Sequence, residues 1–120
     1  MKLRVYAYAG CETCRKALKF LAERGVAHEV VPIREQPPTV AELRKMLAHV
    51  SGELRRLFNT SGQDYKALNL KDRLPTMTTD EALALLASRG NLVKRPFVLA
   101  PSAGVVGFKP DEWNAALGLR

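Results

Sequence analysis

Apolar and polar positions divide the chain into a series of short elements. Leu3-Arg4-Val5-Tyr6-Ala7-Tyr8 is rich in strand-forming residues and predicts a first strand. From Cys14 to Arg24 the period lengthens to that of an amphipathic helix, with Ala17, Leu18, Leu21 and Ala22 inward and Gly25 as the stop. His28-Glu29-Val30-Val31-Pro32-Ile33 predicts a second strand, and strand, helix and strand at this spacing form a parallel crossover. Pro37-Pro38 then breaks the chain. Thr39-Val40-Ala41-Glu42 is a capping box opening a helix that carries Leu43, Met46, Leu47 and Val50. The stretch from Gly52 to Leu74 predicts short helices joined by turns, and a second capping box, Thr78-Thr79-Asp80-Glu81, opens a helix from Ala82 to Arg89 that Gly90 ends. Pro96-Phe97-Val98-Leu99-Ala100 and Gly104-Val105-Val106-Gly107-Phe108, separated by Pro101-Ser102-Ala103, predict an antiparallel hairpin. Pro110-Asp111-Glu112-Trp113 starts a last short helix, and Tyr6, Phe97 and Trp113 fall at core positions.

The order β-α-β, a helical insertion over about 39–90, then β-β-α predicts an α/β fold of the thioredoxin-like plan, in one domain spanning residues 1–120. No internal repeat or linker divides it. At 120 residues and 47% hydrophobic, the chain is long enough to bury a core without disulfide staples.

Charge adds a preference for partners. The formal net charge of +7 favours anionic ones, such as oxyanions, glutathione, acidic proteins or nucleic acid, without choosing among them. Lysine and arginine are scattered through every segment and form no dense tract, which is also the pattern of a plain solvated basic surface, and direct nucleic-acid binding is not expected. Lys2-Leu3-Arg4-Val5 does not follow a leader with a basic start, apolar centre and small-residue cleavage site, and no apolar run approaches the ~18 residues of a membrane span. The expectation is a cytoplasmic protein with no membrane partner, where a lasting structural disulfide would be unusual.

The candidate chemistry lies in Cys11-Glu12-Thr13-Cys14, at the junction of the first strand and helix. Unpaired amides and the positive end of a helix dipole favour a thiolate there, with Arg15 and Lys16 adding positive charge nearby. Cys11 is the candidate nucleophile. Its alternative is a small buried hydrophobe, as free cysteines often are. Cys14, one turn along the same face, is the candidate resolving thiol, able to attack a mixed disulfide or sulfenic acid on Cys11; its alternative is a plain core residue. Read as half of a zinc site, the pair would need His28 and His49, whose separation far exceeds the usual three to five residues. No metal or other bound cofactor is expected.

With Cys11-Glu12-Thr13-Cys14-Arg15-Lys16-Ala17 at that junction and Lys94-Arg95-Pro96-Phe97-Val98 opening the third strand, the chain resembles the arsenate reductase/Spx family over nearly its whole length. Phe58-Asn59-Thr60-Ser61-Gly62-Gln63-Asp64-Tyr65 and Gly107-Phe108-Lys109-Pro110 resemble the family's central and C-terminal segments. The resemblance implies a thioredoxin-like fold and a cis bond between Arg95 and Pro96. In the reductase branch the first cysteine attacks an arsenate-like oxyanion held by three arginines, and glutathione or glutaredoxin completes the reduction. Cys11 matches the nucleophile and Arg95 one arginine, while the other two positions fall on Asn59 and Lys109. Lysine keeps the charge without the planar fork, and asparagine supplies no charge. The CxxC pair is instead similar to the Spx-like branch, regulators whose dithiol governs binding to the RNA polymerase alpha subunit, where Gly52 falls near a glycine of that interface. A third branch contains small proteins proposed to be glutathione-dependent thiol reductases.

The resulting expectation is a thiol-dependent oxidoreductase acting on an oxyanion or a glutathione mixed disulfide. Cys11 and Cys14 are its catalytic pair; Arg95, Arg15, Pro96, Asn59 and Lys109 form the substrate site; glutathione, glutaredoxin or thioredoxin is the reductant. The alternatives are a redox-sensing regulator of RNA polymerase and an interaction module without turnover.

Overall fold

The computed structural model describes residues 2–119. Four strands form one sheet in the order β2-β1-β3-β4. Strand β1 (Leu3–Ala7) runs parallel to β2 (His28–Pro32), with Leu3 opposite His28 and Ala7 opposite Pro32, and antiparallel to β3 (Phe97–Ala100). The hairpin partner β4 (Ala103–Val106) completes the sheet. Helix α1 (Glu12–Glu23) makes the crossover between β1 and β2. The chain then runs through α2 (Val40–His49), a 3-10 turn at Leu54–Leu57, α3 (Gln63–Ala67), α4 (Leu70–Arg73) and α5 (Thr79–Ser88) before re-entering the sheet, and α6 (Pro110–Leu117) closes the fold. This is the thioredoxin-like plan with a helical insertion. Among the described residues, no helix is long and apolar enough to cross a membrane.

The period-two alternation of β1 explains the layering. Leu3, Val5 and Ala7 point to one face, where they pack with Cys14, Ala17, Phe20 and Leu21 of α1 and Trp113 and Leu117 of α6. Tyr6 points to the other, into a cluster that includes Leu43 and Met46 of α2 and Leu83 and Leu86 of α5. Both capping boxes form as predicted, with Thr39 and Thr78 each accepting from the amide three residues on and Glu42 and Glu81 answering from the side chain. Glu42 does more: its Oε1 accepts the Tyr6 hydroxyl at 2.7 Å and its Oε2 lies 3.2 Å from Arg4, tying α2 to the sheet.

Several boundaries differ from the sequence reading, each for a local reason. Helix α1 begins at Glu12, because Cys11 takes the N-cap with extended φ and ψ. Its buried face includes Phe20, whereas Ala22 is exposed, since the stripe follows positions 14, 17, 20 and 21. Helix α5 starts at Thr79, directly after its cap, and ends at Ser88. The hairpin is tighter than expected, with β4 running from Ala103 to Val106.

Gly90 is more than a helix stop. A Cβ placed there would sit 1.8 Å from the Ile33 carbonyl oxygen, and that neighbour is backbone. Gly90→Ala should therefore lower the urea unfolding midpoint by the equivalent of about 1–3 kcal/mol. An unchanged midpoint would mean that the two backbones separate freely at this crossing.

Candidate functional site

The site begins where β1 ends. The Cys11 amide donates to the Tyr8 carbonyl at 3.0 Å, turning the chain so that Cys11 becomes the N-cap of α1, and its Sγ accepts from the Cys14 amide at 3.4 Å. A thiol thus stands where a serine or aspartate cap oxygen commonly stands, receiving one of the helix's free amides. Cys11 is partly exposed, whereas Cys14 is 1% exposed and part of the core beneath it.

The two thiols are driven apart in acidity. Burial pushes the Cys11 pKa up, but hydrogen bonds from the Cys14 thiol and amide, and then the Arg95 guanidinium, outweigh it, so Cys11 lies below its ordinary value. Cys14 is pushed up to about 12, chiefly by burial, and Cys11 beside it adds to the rise. Of the two, Cys11 is the thiol that ionises more readily.

Arg95 arrives from the opposite side, at the entry to β3, across a cis bond to Pro96. Its position is set by two backbone clamps. The segment ending the 3-10 turn pairs with the approach to β3 through a Phe58–Val93 bridge, the Asn59 amide donating to Leu92 and the Lys94 amide to Leu57. On the far side the Gly107 amide, at a positive φ of 70°, donates to the Pro96 carbonyl, and the Trp113 indole donates to the Gly107 carbonyl. The guanidinium carbon lies 5.4 Å from the centre of the Tyr8 ring, which Arg34 also approaches at 4.7 Å. Nη1 of Arg95 is buried with no hydrogen-bond partner among the described residues.

Cys11 and Arg95 open into a cleft of about 760 Å³, within the ~300–1,000 Å³ range of small-molecule sites. Its wall carries five cations (Arg55, Arg56, Lys94, Arg95 and Lys109) against two carboxylates, Glu53 and Glu112. Phe58, Val106 and Phe108 supply apolar surface.

Of the residues singled out in the sequence, Cys11, Arg95, Asn59 and Lys109 meet in this cleft. Asn59 also packs on Gly62, where a Cβ would come within 2.7 Å of its amide nitrogen. Pro96 and Cys14 lie behind the surface. Arg15 is not brought to the cleft: its guanidinium turns back to the Ala9 carbonyl, 3.2 Å away, while Lys16 pairs with Glu12. Gly52 closes α2 at a positive φ of 77°, its amide donating to the Leu47 carbonyl, which is a chain-reversal role. Sequence reasoning missed Arg55, Arg56 and Lys94. Their only signal was position, beside the Asn59 segment and immediately before Arg95. His28 is engaged locally, its Nδ1 lying 2.8 Å from the Val26 carbonyl oxygen. Among the described residues, no group of three or more His, Cys, Asp or Glu side chains converges as a metal site would require.

A thioredoxin-like domain with a dithiol at its first strand–helix turn, faced by an arginine before a cis-proline, defines the class of protein. The chain belongs to the ArsC family, whose model matches residues 6–116. It is 45% identical over 114 residues to the uncharacterized protein YusI of Bacillus subtilis (strain 168), covering 95% of this chain and 97% of that one. More distant relatives divide between functions. The regulatory protein MgsR of the same organism is 29% identical, covering 92% of this chain and 86% of MgsR; an arsenate reductase of Neisseria meningitidis serogroup B is 31% identical, covering 97% and 98%. An ArsC-family-related protein from Bacteroides fragilis has the same fold, with a TM-score of 0.90, 43% identity, and coverage of 96% of this chain and 97% of that chain.

Proposed function

We propose that the protein is a thiol-dependent reductase acting on an anionic disulfide, such as a glutathione mixed disulfide, or on an oxyanion. The observation that carries this reading is a thiol of lowered pKa opening into a cleft dominated by cations. The Cys11 thiolate attacks a sulfur of the substrate, breaking its S–S bond and releasing the other half as a thiolate that takes a proton from water. Arg95, with a buried nitrogen awaiting an acceptor, holds the anionic group. Cys14 loses its proton and attacks the Cys11 sulfur, releasing the substrate thiol and leaving a Cys11–Cys14 disulfide. Adduct formation removes the Cys11 charge that helps hold Cys14 protonated, so Cys14 becomes easier to ionise at the step that needs it. Burial, the larger cause, remains. Two glutathione molecules, glutaredoxin or thioredoxin then restore the dithiol.

The experiment is turnover of a glutathione mixed disulfide or arsenate with a glutathione-regenerating system. Cys11→Ser should abolish it, and activity retained by that variant would sink the reading. Likeness to MgsR favours a second reading, a redox-sensing regulator that binds the RNA polymerase alpha subunit. Capture of purified alpha subunit by this protein, dependent on the state of the dithiol and without reductase turnover, would establish that reading instead. On either reading, oxidation should join Cys11 to Cys14 with little change in far-ultraviolet circular dichroism, because the closed loop is short and the core packs independently of it. A large loss of helix on oxidation would contradict a reversible dithiol.

A further inference from the structure

Glu112, in the first turn of α6, lines the cleft beside the cations it touches. Its two oxygens are divided between them. Oε1 lies 3.4 Å from Arg56 Nη2, on the 3-10 turn of the insertion, and Oε2 lies 3.6 Å from Lys109 Nζ. A fold-stabilising role explains this poorly, since the side chains are 44%, 42% and 81% exposed for Arg56, Glu112 and Lys109, and exposed pairs of this kind contribute ~0–1 kcal/mol each. What the geometry does display is a carboxylate seated between two donors, the arrangement in which a ligand's carboxylate would be received.

We propose that Arg56 and Lys109 form a carboxylate subsite of the cleft, additional to the Cys11–Arg95 end, and that Glu112 fills it until a ligand's own carboxylate takes its place. The inference rests on the reading of Cys11 as a nucleophile toward disulfides. The ligand class is a disulfide carrying a carboxylate several bonds from its sulfur, of which an acidic peptide disulfide is the simplest, and the cleft volume accommodates one. In the reaction Cys11 is oxidised to a mixed disulfide with one half of the ligand, while the other sulfur is reduced and leaves as a thiolate. Glu112 sets the threshold. A ligand without a carboxylate gains nothing from displacing it, whereas one with a carboxylate exchanges like for like and is held at two points.

The test uses Cys14→Ser protein, in which the adduct on Cys11 accumulates. Its rate of formation is measured with oxidised glutathione, which carries carboxylates, and with bis(2-hydroxyethyl) disulfide, which is uncharged. The ratio of the two rates cancels any change in Cys11 nucleophilicity. Glu112→Gln should raise that ratio about threefold to tenfold, as expected for releasing two cations from exposed pairs. Arg56→Ala should lower it. Glu23→Gln, an equal change of charge at the far end of α1, should leave it unchanged, and thermal melting checks that each variant is folded. A ratio that stays constant in Glu112→Gln, or moves equally in Glu23→Gln, overturns the subsite while leaving Cys11 as nucleophile. Failure of Cys11 to react with either disulfide overturns the reductase reading, and the subsite with it.

Discussion

Limiting iodoacetamide at neutral pH will modify Cys11 at least about 30 times faster than Cys14. Cys14 has its pKa pushed up to about 12 and Cys11 lies below its ordinary value, so at least three orders of magnitude separate their thiolate populations. The more basic thiolate is the better nucleophile, with a Brønsted slope of about 0.5, and this recovers roughly half of that gap on a logarithmic scale. Access widens it again, because Cys14 is 1% exposed. Peptide mapping at low conversion is the measurement. Labelling that falls first on Cys14, or equally on both, would remove Cys11 from its role. The rate for Cys11 should rise with pH and level off once its pKa is passed, below the point at which an ordinary cysteine would do so.

Arg95→Ala should raise the Cys11 pKa and slow reaction with an anionic disulfide about 10- to 100-fold, the equivalent of one lost charge-assisted hydrogen bond. Stability should hardly follow. Nη1 of Arg95 is buried without a partner among the described residues, so its removal relieves a desolvation cost while taking away some packing on Tyr8. The melting temperature should move by only a few degrees. Arg95→Lys should restore part of the acidity of Cys11 but not the two-pronged grip. Thiolate absorbance titrations in a Cys14→Ser background read the Cys11 pKa directly. Superimposable curves with and without the Arg95→Ala substitution would show that the guanidinium acts elsewhere.

The sequence made local features easy to read. Thr39 with Glu42 and Thr78 with Glu81 announce their caps within four residues, and the dithiol announces itself at a strand–helix junction. Other features depended on distant partners. Nothing near Arg56 hints at Glu112, and the Asn59 segment reaches the cleft beside a bridge from Phe58 to Val93, 35 residues on. Arg15, read as part of the site from its place beside Cys14, instead donates to the Ala9 carbonyl. The parity of β1 is legible by itself, but on α1 the buried stripe takes in Phe20 and leaves out Ala22.

The Phe58–Val93 bridge carries a consequence for how this architecture can change. The acidity of Cys11 is made by the α1 cap and by Arg95, whereas one wall of the cleft, from Glu53 to Ser61, comes from the insertion, tied to the approach to β3 by that bridge and its two flanking amides, to the core by Leu57 and Phe58, and to α6 by Arg56. Part of the recognition surface, Arg56 included, therefore lies in the insertion, while Arg95 and Lys109, outside it, stay with the reactive thiol. Exchanging residues 53–56 and 59–61 for another sequence, with Leu57, Phe58 and Val93 kept as the hinge of attachment, would give the same warhead a different lock.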